Sequence, residues 1–171
     1  MRRIRYSVAM SLDGYIAGPQ GESDWIVIDP DIDFNALFNA YDTVLLGRKT
    51  YEATRQPGNE GAMPGIQRYV FSRTLRPEDC PGVIISDDPK ATISDLKSKA
   101  GKDMWLFGGG SLFHSLIEFG LVDSVEVAII PVLLGGGVPF LPPPAKLARL
   151  KLMNHQVYEK TGTVLLEYTV A

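Results

Sequence analysis

Asp103-Met-Trp-Leu-Phe-Gly-Gly-Gly-Ser-Leu-Phe-His114 is the stretch that decides the fold. Met104 to Phe107 is an apolar run of strand length, too short for a helix. It breaks into Gly108, Gly109 and Gly110, and Ser111 after them reads as a helix N-cap. Leu112, Phe113, Leu116, Ile117 and Phe119 then recur at helical spacing up to Gly120, a stop signal. The unit is strand, glycine turn, helix. Such a turn lets a ligand approach the backbone, and the helix start behind it offers unpaired N–H groups and partial positive charge, which suits a phosphate or pyrophosphate. The plainer reading is a tight turn that needs glycine only for its dihedrals. The stretch fits neither G-x-G-x-x-G nor the P-loop. Phe113 stands where a nucleophile elbow needs glycine, so a serine hydrolase built on Ser111 and a histidine has no motif behind it.

The same logic recurs upstream. Thr43 to Leu46 reads as a buried strand running into Gly47-Arg-Lys-Thr-Tyr-Glu52. Arg48, Lys49 and Thr50 suit phosphate oxygens; otherwise they are solvated charges on a helix end. Arg68 to Phe71 is a further strand, and Ser72-Arg73 at its end suits an extra ribose phosphate or is a polar strand end. Two strand–glycine–helix units together favour a nucleotide site.

Ile4 to Met10 alternates as a first strand, followed by the Asp13-Gly14 turn signal and a polar loop from Gly18 to Asp24. Trp25 is expected to anchor that loop in the core. Asp31 to Tyr41 carries Phe34, Leu37, Phe38 and Tyr41 at helical spacing. Asp31 and Asp33 at its start are either caps or a proton source at a pocket mouth. Residues 57–65 read as a loop. Gly82 to Ser86 reads as a strand broken by Asp87-Asp88-Pro89, with a helix from Thr92 to Ala100. Val122 to Ile130 reads as a central strand, and residues 131–144 as a loop packed on the body. Leu147 to Tyr158 and Gly162 to Val170 read as an antiparallel pair turning at Lys160 to Gly162. The expected class is α/β, a mostly parallel sheet with helices on both faces and an antiparallel edge.

The 171 residues suit one domain, 1–171, with a real core. Hydrophobic residues at 45% and charged ones at 22% read as soluble and globular. A net charge of −3 gives nucleic acid no electrostatic foothold. The single cysteine, Cys80, excludes an internal disulfide and a cysteine-based metal site, and His114 and His155 form no zinc motif. No apolar run reaches membrane-spanning length, and the basic N-terminus leads into a strand-like segment rather than a signal-peptide core. Cytoplasmic residence is expected.

Taken in order, the motifs resemble those of the dihydrofolate reductase-like fold, on the branch with the C-terminal reductase domain of bifunctional riboflavin-biosynthesis proteins. Val8-Ala-Met-Ser-Leu-Asp-Gly-Tyr-Ile-Ala-Gly18 resembles the family's first strand and mobile loop. Leu45-Leu-Gly-Arg-Lys-Thr-Tyr-Glu52 is similar to its G-R-x-T-[YFW]-E motif. Phe71-Ser-Arg73 resembles the ribose-phosphate strand end, and Phe107-Gly-Gly-Gly-Ser-Leu112 the pyrophosphate loop. Pro131-Val-Leu-Leu-Gly-Gly-Gly-Val-Pro-Phe-Leu141 resembles the P-x-x-L-G-G-G signature of the riboflavin-type reductases. The resemblance implies a three-layer fold and NADPH as hydride donor. Ala9 and Ile16 then touch the nicotinamide end. Gly47, Arg48, Lys49 and Thr50 hold phosphates, Ser72 and Arg73 read the ribose phosphate, and Gly108, Gly109, Gly110, Ser111 and Leu112 wrap the pyrophosphate. It also implies a cis peptide within the paired glycines, and a homodimer, which the apolar late loop and closing strands independently suggest. Asp33, or alternatively Asp31, takes the place of the folate enzymes' carboxylate. Val127-Ala-Ile-Ile-Pro131 lacks the threonine that partners it there. The implied activity is reduction of a small heterocycle, most like 5-amino-6-(5-phosphoribosylamino)uracil reductase. The alternatives are a dihydrofolate reductase-type activity on a pterin and a non-catalytic nucleotide-binding protein of the same fold.

Overall fold

Short β-forming runs alternate with amphipathic ones, and the chain winds them into a sheet covered on both faces. The computed structural model describes residues 1–55 and 65–171. The loop expected at 57–65 lies outside the described residues except for Gly65. Strands β1 (Ile4–Ser11), β3 (Tyr41–Gly47), β4 (Gln67–Phe71), β5 (Ile84–Ser86), β6 (Asp103–Gly108) and β7 (Ser124–Ile130) run parallel. Strands β9 (Leu150–Tyr158) and β10 (Thr163–Val170) close the chain as an antiparallel pair, and β10 is antiparallel to β7. The order across the sheet is β5-β4-β3-β6-β1-β7-β10-β9. A small separate pair joins β2 (Tyr15–Ala17) to β8 (Val138–Pro139), inside the segment expected to be all loop.

The period of two along each strand divides the core. Ile4, Tyr6, Leu45, Met104 and Leu106 face one side, where α3 (Pro89–Ser98) adds Ile93 and Leu96, and α4 (Gly110–Glu118) adds Phe113 and Leu116. Tyr6 stacks on Phe113 with ring centroids 4.0 Å apart. Val44, Leu46 and Trp105 face the other side, with Tyr51 from α2 (Arg48–Thr54) and Leu37 and Phe38 from α1 (Phe34–Asn39). Helices therefore cover both faces, as the alternating pattern implies.

Several boundaries move, each for a local reason. The helix expected over Asp31 to Tyr41 is only Phe34–Asn39, because Asp33 caps it by accepting from Ala36 N at 2.9 Å and Tyr41 is drawn into β3. The helix expected from Thr92 begins at Pro89. Asp88 caps it through Ala91 N at 2.9 Å, and proline suits a first helical turn. Ser111 is not an N-cap: Gly109 takes that place and the helix starts at Gly110. Trp25 joins neither core cluster; its indole N–H donates to the Glu22 carbonyl at 3.1 Å within its own loop.

Candidate nucleotide site

Parallel strands share a carboxyl edge, and loops leaving that edge build sites in open α/β sheets. Gly47, Phe71, Ser86 and Gly108 end neighbouring strands there. The two strand–glycine–helix units, far apart in sequence, meet at this edge. A Cβ on Gly47 would lie 3.5 Å from Gly109 N and 3.8 Å from the Leu112 side chain, and one on Gly109 would lie 3.2 Å from Thr50 Oγ1. Among the described residues no side chain makes a cap hydrogen bond at the start of α2 or of α4, which leaves their first-turn N–H groups without a side-chain partner. The Gly108–Gly109 peptide is cis, as the resemblance implies.

The three consecutive glycines are there for different reasons. Gly108 has φ +129°, a region side chains rarely adopt. Gly110 is needed for close approach: a Cβ would meet the Pro139 carbonyl oxygen at 2.7 Å. The start of α4 therefore rests directly on the late loop. That loop is in turn fastened to the segment after β1. The Asp13 carboxylate accepts from Gly135 N at 2.7 Å and Leu134 N at 3.1 Å, and from the Ser11 hydroxyl at 2.7 Å. Leu12 N donates to Val132 O, and Phe140 N to Gly14 O. The Ser11 hydroxyl and the Gly135 N–H lead in holding the Asp13 pKa below its ordinary value. In the sequence Asp13-Gly14 reads only as a turn, and the carboxylate's part in holding the two loops comes from the fold.

Arg48 and Lys49 are exposed, and Arg48 pairs with Glu52 at 3.1 Å on the same helix. Thr50 is half-buried and faces Gly109. Ser72 N donates to the Ser86 carbonyl at 2.9 Å, and its hydroxyl oxygen accepts from Thr74 N and Leu75 N, each at 3.1 Å. Arg73, exposed, lines a groove of about 510 Å³ with the β5–α3 turn and one side of α4. Ala9 lies on β1 opposite Ala128 of β7, and Ile16 on β2; both are half-buried. Ser111 is exposed on the first turn of α4, whereas Leu112 is buried against the first core cluster.

The two candidate carboxylates sit elsewhere on the rim. Asp33 Oδ1 is occupied by the α1 cap, and Asp31 pairs with Lys160 at 2.7 Å on the β9–β10 turn. The buried carboxylate of this region is Asp29, which accepts from the Thr161 hydroxyl and Asp31 N, both at 2.9 Å. Burial pushes its pKa up, but those hydrogen bonds and nearby Lys160 outweigh that and leave it lowered. Nothing in the local sequence distinguishes Asp29 from its neighbours, because its burial depends on a hairpin more than a hundred residues away. An aromatic row runs from α1 onto β6 in the second core cluster. Phe38 lies 5.9 Å from Trp105, and Trp105 lies 5.1 Å from Phe107, ring centroid to centroid.

A model of the RibD C-terminal domain matches residues 2–164. This chain belongs to the RibD C-terminal domain family. A relative within reach of the family is the uncharacterized protein YyaP of Bacillus subtilis (strain 168), 37% identical over 178 residues, covering 98% of this chain and 94% of that protein. Among solved structures, a Shewanella sp. PV-4 protein assigned to riboflavin biosynthesis is 25% identical with a TM-score of 0.83, over 100% of this chain and 99% of that one. Dihydrofolate reductase from Enterococcus faecalis, solved with NADP(H), has a TM-score of 0.72 at 18% identity, over 98% of this chain and 96% of that one. The family and its neighbours make this a reductase-type fold.

Proposed function

We propose that this RibD-type chain, read as one domain over 1–171, is an NADPH-dependent reductase that passes a hydride to a small heterocyclic substrate. The activity most like it is 5-amino-6-(5-phosphoribosylamino)uracil reductase, a CH–NH or CH–OH type oxidoreductase. One observation carries the reading: Gly47 and Thr50 stand against Gly108 and Gly109, so two uncapped helix starts converge on one volume. The residues fit the cofactor. A Cβ on Gly109 would already crowd Thr50, which leaves the cradle open only while that position is glycine. Gly108 to Leu112 would hold the pyrophosphate, with Gly47, Arg48, Lys49 and Thr50 opposite, Ser72 and Arg73 at the ribose phosphate, and Ala9 and Ile16 at the nicotinamide end.

NADPH, when bound, supplies the hydride. The chain's own work is to bind, orient and exclude water. The Asp13 clamp ties the segment after β1 to the late loop beside the nicotinamide end. Of the two candidate proton donors, Asp33 keeps Oδ2 clear of any hydrogen bond among the described residues, whereas Asp31 is tied to Lys160. Asp33 is therefore the first choice and Asp31 the second.

A second copy of the chain fits the closing strands. Leu152 and Val157 of the edge strand β9 are 49% and 57% exposed, and Leu133 of the late loop 73%. We place the protein as a homodimer in the cytoplasm; no described helix is long and apolar enough to cross a membrane. Sedimentation that stays monomeric at micromolar concentration removes the dimer. The function is tested by titrating NADPH calorimetrically and then screening pyrimidines and pterins for NADPH oxidation. Binding with turnover of a ribosylaminopyrimidine is the expected result. Binding with no turnover on any ring favours the non-catalytic reading, and no binding overturns the proposal.

A further inference from the structure

Arg73 shares its groove with charges of the opposite sign. Asp87 and Asp88 of the β5–α3 turn line it too, with a second cation, Lys90 on the first turn of α3, and Phe119 at the C-terminal end of α4. Two of the four charges already have local roles. Asp88 caps α3 through Ala91 N, and the Lys90 ammonium lies 5.6 Å from the Phe119 ring centroid. Arg73 and Asp87 remain. Both are exposed, and neither has a hydrogen bond or ion pair with any described residue or with each other.

Backbone pairing fixes where these two stand. Phe71 and Ser86 are partners at the ends of parallel strands, and Ser72 N donates to the Ser86 carbonyl. Arg73 and Asp87 therefore leave neighbouring strands at almost the same level, on the edge where the nucleotide is proposed to lie. Their chemistry divides the possible ligands. A carboxylate accepts from ribose hydroxyls and repels a phosphate; a guanidinium binds a phosphate and gains little from a hydroxyl.

We propose that Asp87 is a specificity-determining residue of the dinucleotide site, acting against Arg73. It accepts from the ribose hydroxyl of a dinucleotide without the extra phosphate and weakens the hold on one that carries it. The wild-type chain accordingly accepts both NADPH and NADH, with only a narrow preference for NADPH. This rests on the nucleotide reading above.

The test is calorimetric titration of NADPH and of NADH into the full chain, for wild type, Asp87→Asn and Asp87→Ser, at low salt and at roughly 0.5 M salt. In both variants the NADPH-over-NADH ratio should rise about tenfold, because the repulsion of the phosphate is lost and the acceptor left for the hydroxyl is neutral and weaker. The gain in NADPH affinity should shrink at high salt, where exposed charges are screened. A merely structural role for Asp87 would weaken both cofactors together, with no salt dependence, and would overturn the inference. So would a ratio unchanged in both variants while wild type binds both cofactors; in that case the nucleotide site stands. If wild type binds neither cofactor, the nucleotide reading fails and Asp87's role fails with it.

Discussion

The units 43–54 and 103–118 look alike in sequence and differ in how firmly they are built in. The first ends in a seven-residue helix with an exposed N-terminal pair, Arg48 and Lys49. A Cβ on its glycine, Gly47, would make only ordinary contacts of 3.5 to 3.8 Å. The second carries a nine-residue helix with four buried residues, and its Gly110 is pressed against the backbone of the late loop. The same strand–glycine–helix pattern thus gives a rim in one place and a structural joint in the other. A glycine-rich turn can serve a ligand, the fold, or both, and only its neighbours decide which.

That contrast can be broken most directly at Gly110. Gly110→Val should destabilise the protein by about 3 kcal/mol, at the upper end of the usual cost of overpacking, because the Pro139 carbonyl cannot retreat without moving the late loop. The matching change Gly47→Ala should cost less than about 1 kcal/mol. Urea unfolding of both variants measures the difference, and equal losses would erase the distinction between joint and rim. Gly109→Val sits between these cases. It should leave the chain folded by circular dichroism while NADPH affinity falls about a hundredfold or more, since a β-branched side chain fills the space beside Thr50. Unchanged affinity in a folded variant would show that residues 108–112 are not the pyrophosphate loop.

On the rim, Arg73→Ala should weaken NADPH about tenfold and NADH little, as loss of a charge-assisted phosphate contact implies. Equal losses for the two cofactors would remove Arg73 from that role. The smallest effect is expected at Asp13. Its pKa is lowered in the fold, so its clamp contributes stability above the ordinary value of 3.8 and loses it as pH falls through the lower folded value. Asp13→Asn should flatten the fall in thermal midpoint of the wild type across that acid range, and should raise the KM for NADPH more than it changes kcat. A pH profile identical to wild type would mean that the loops hold together without the carboxylate.

Asp88 and Asp33 show how much of the site could be read locally. Both are caps in the structure, and a cap is one of the two readings that Asp33's place before an apolar helical pattern allows. In the sequence Asp88 reads as a strand breaker, because Asp-Asp-Pro ends a strand and begins a helix with the same residues. Asp29 and Asp13 are illegible locally for another reason. Their partners, Thr161 and the Leu134–Gly135 backbone, lie more than a hundred residues away, and no local pattern reveals a side chain whose role is set by so distant a segment.

The sequence by itself determined the alternation of strands and helices, the parallel body with its antiparallel close, and the glycine-bearing turns that invite a phosphate. Those follow from hydrophobic period and backbone freedom, which act over a few residues. Tertiary structure alone decided that Gly47 meets Gly109, that Gly110 must clear Pro139, and that Asp87 lines one groove with Arg73. Each of these depends on strand order and register across the sheet, and those are set by the packing of the whole chain.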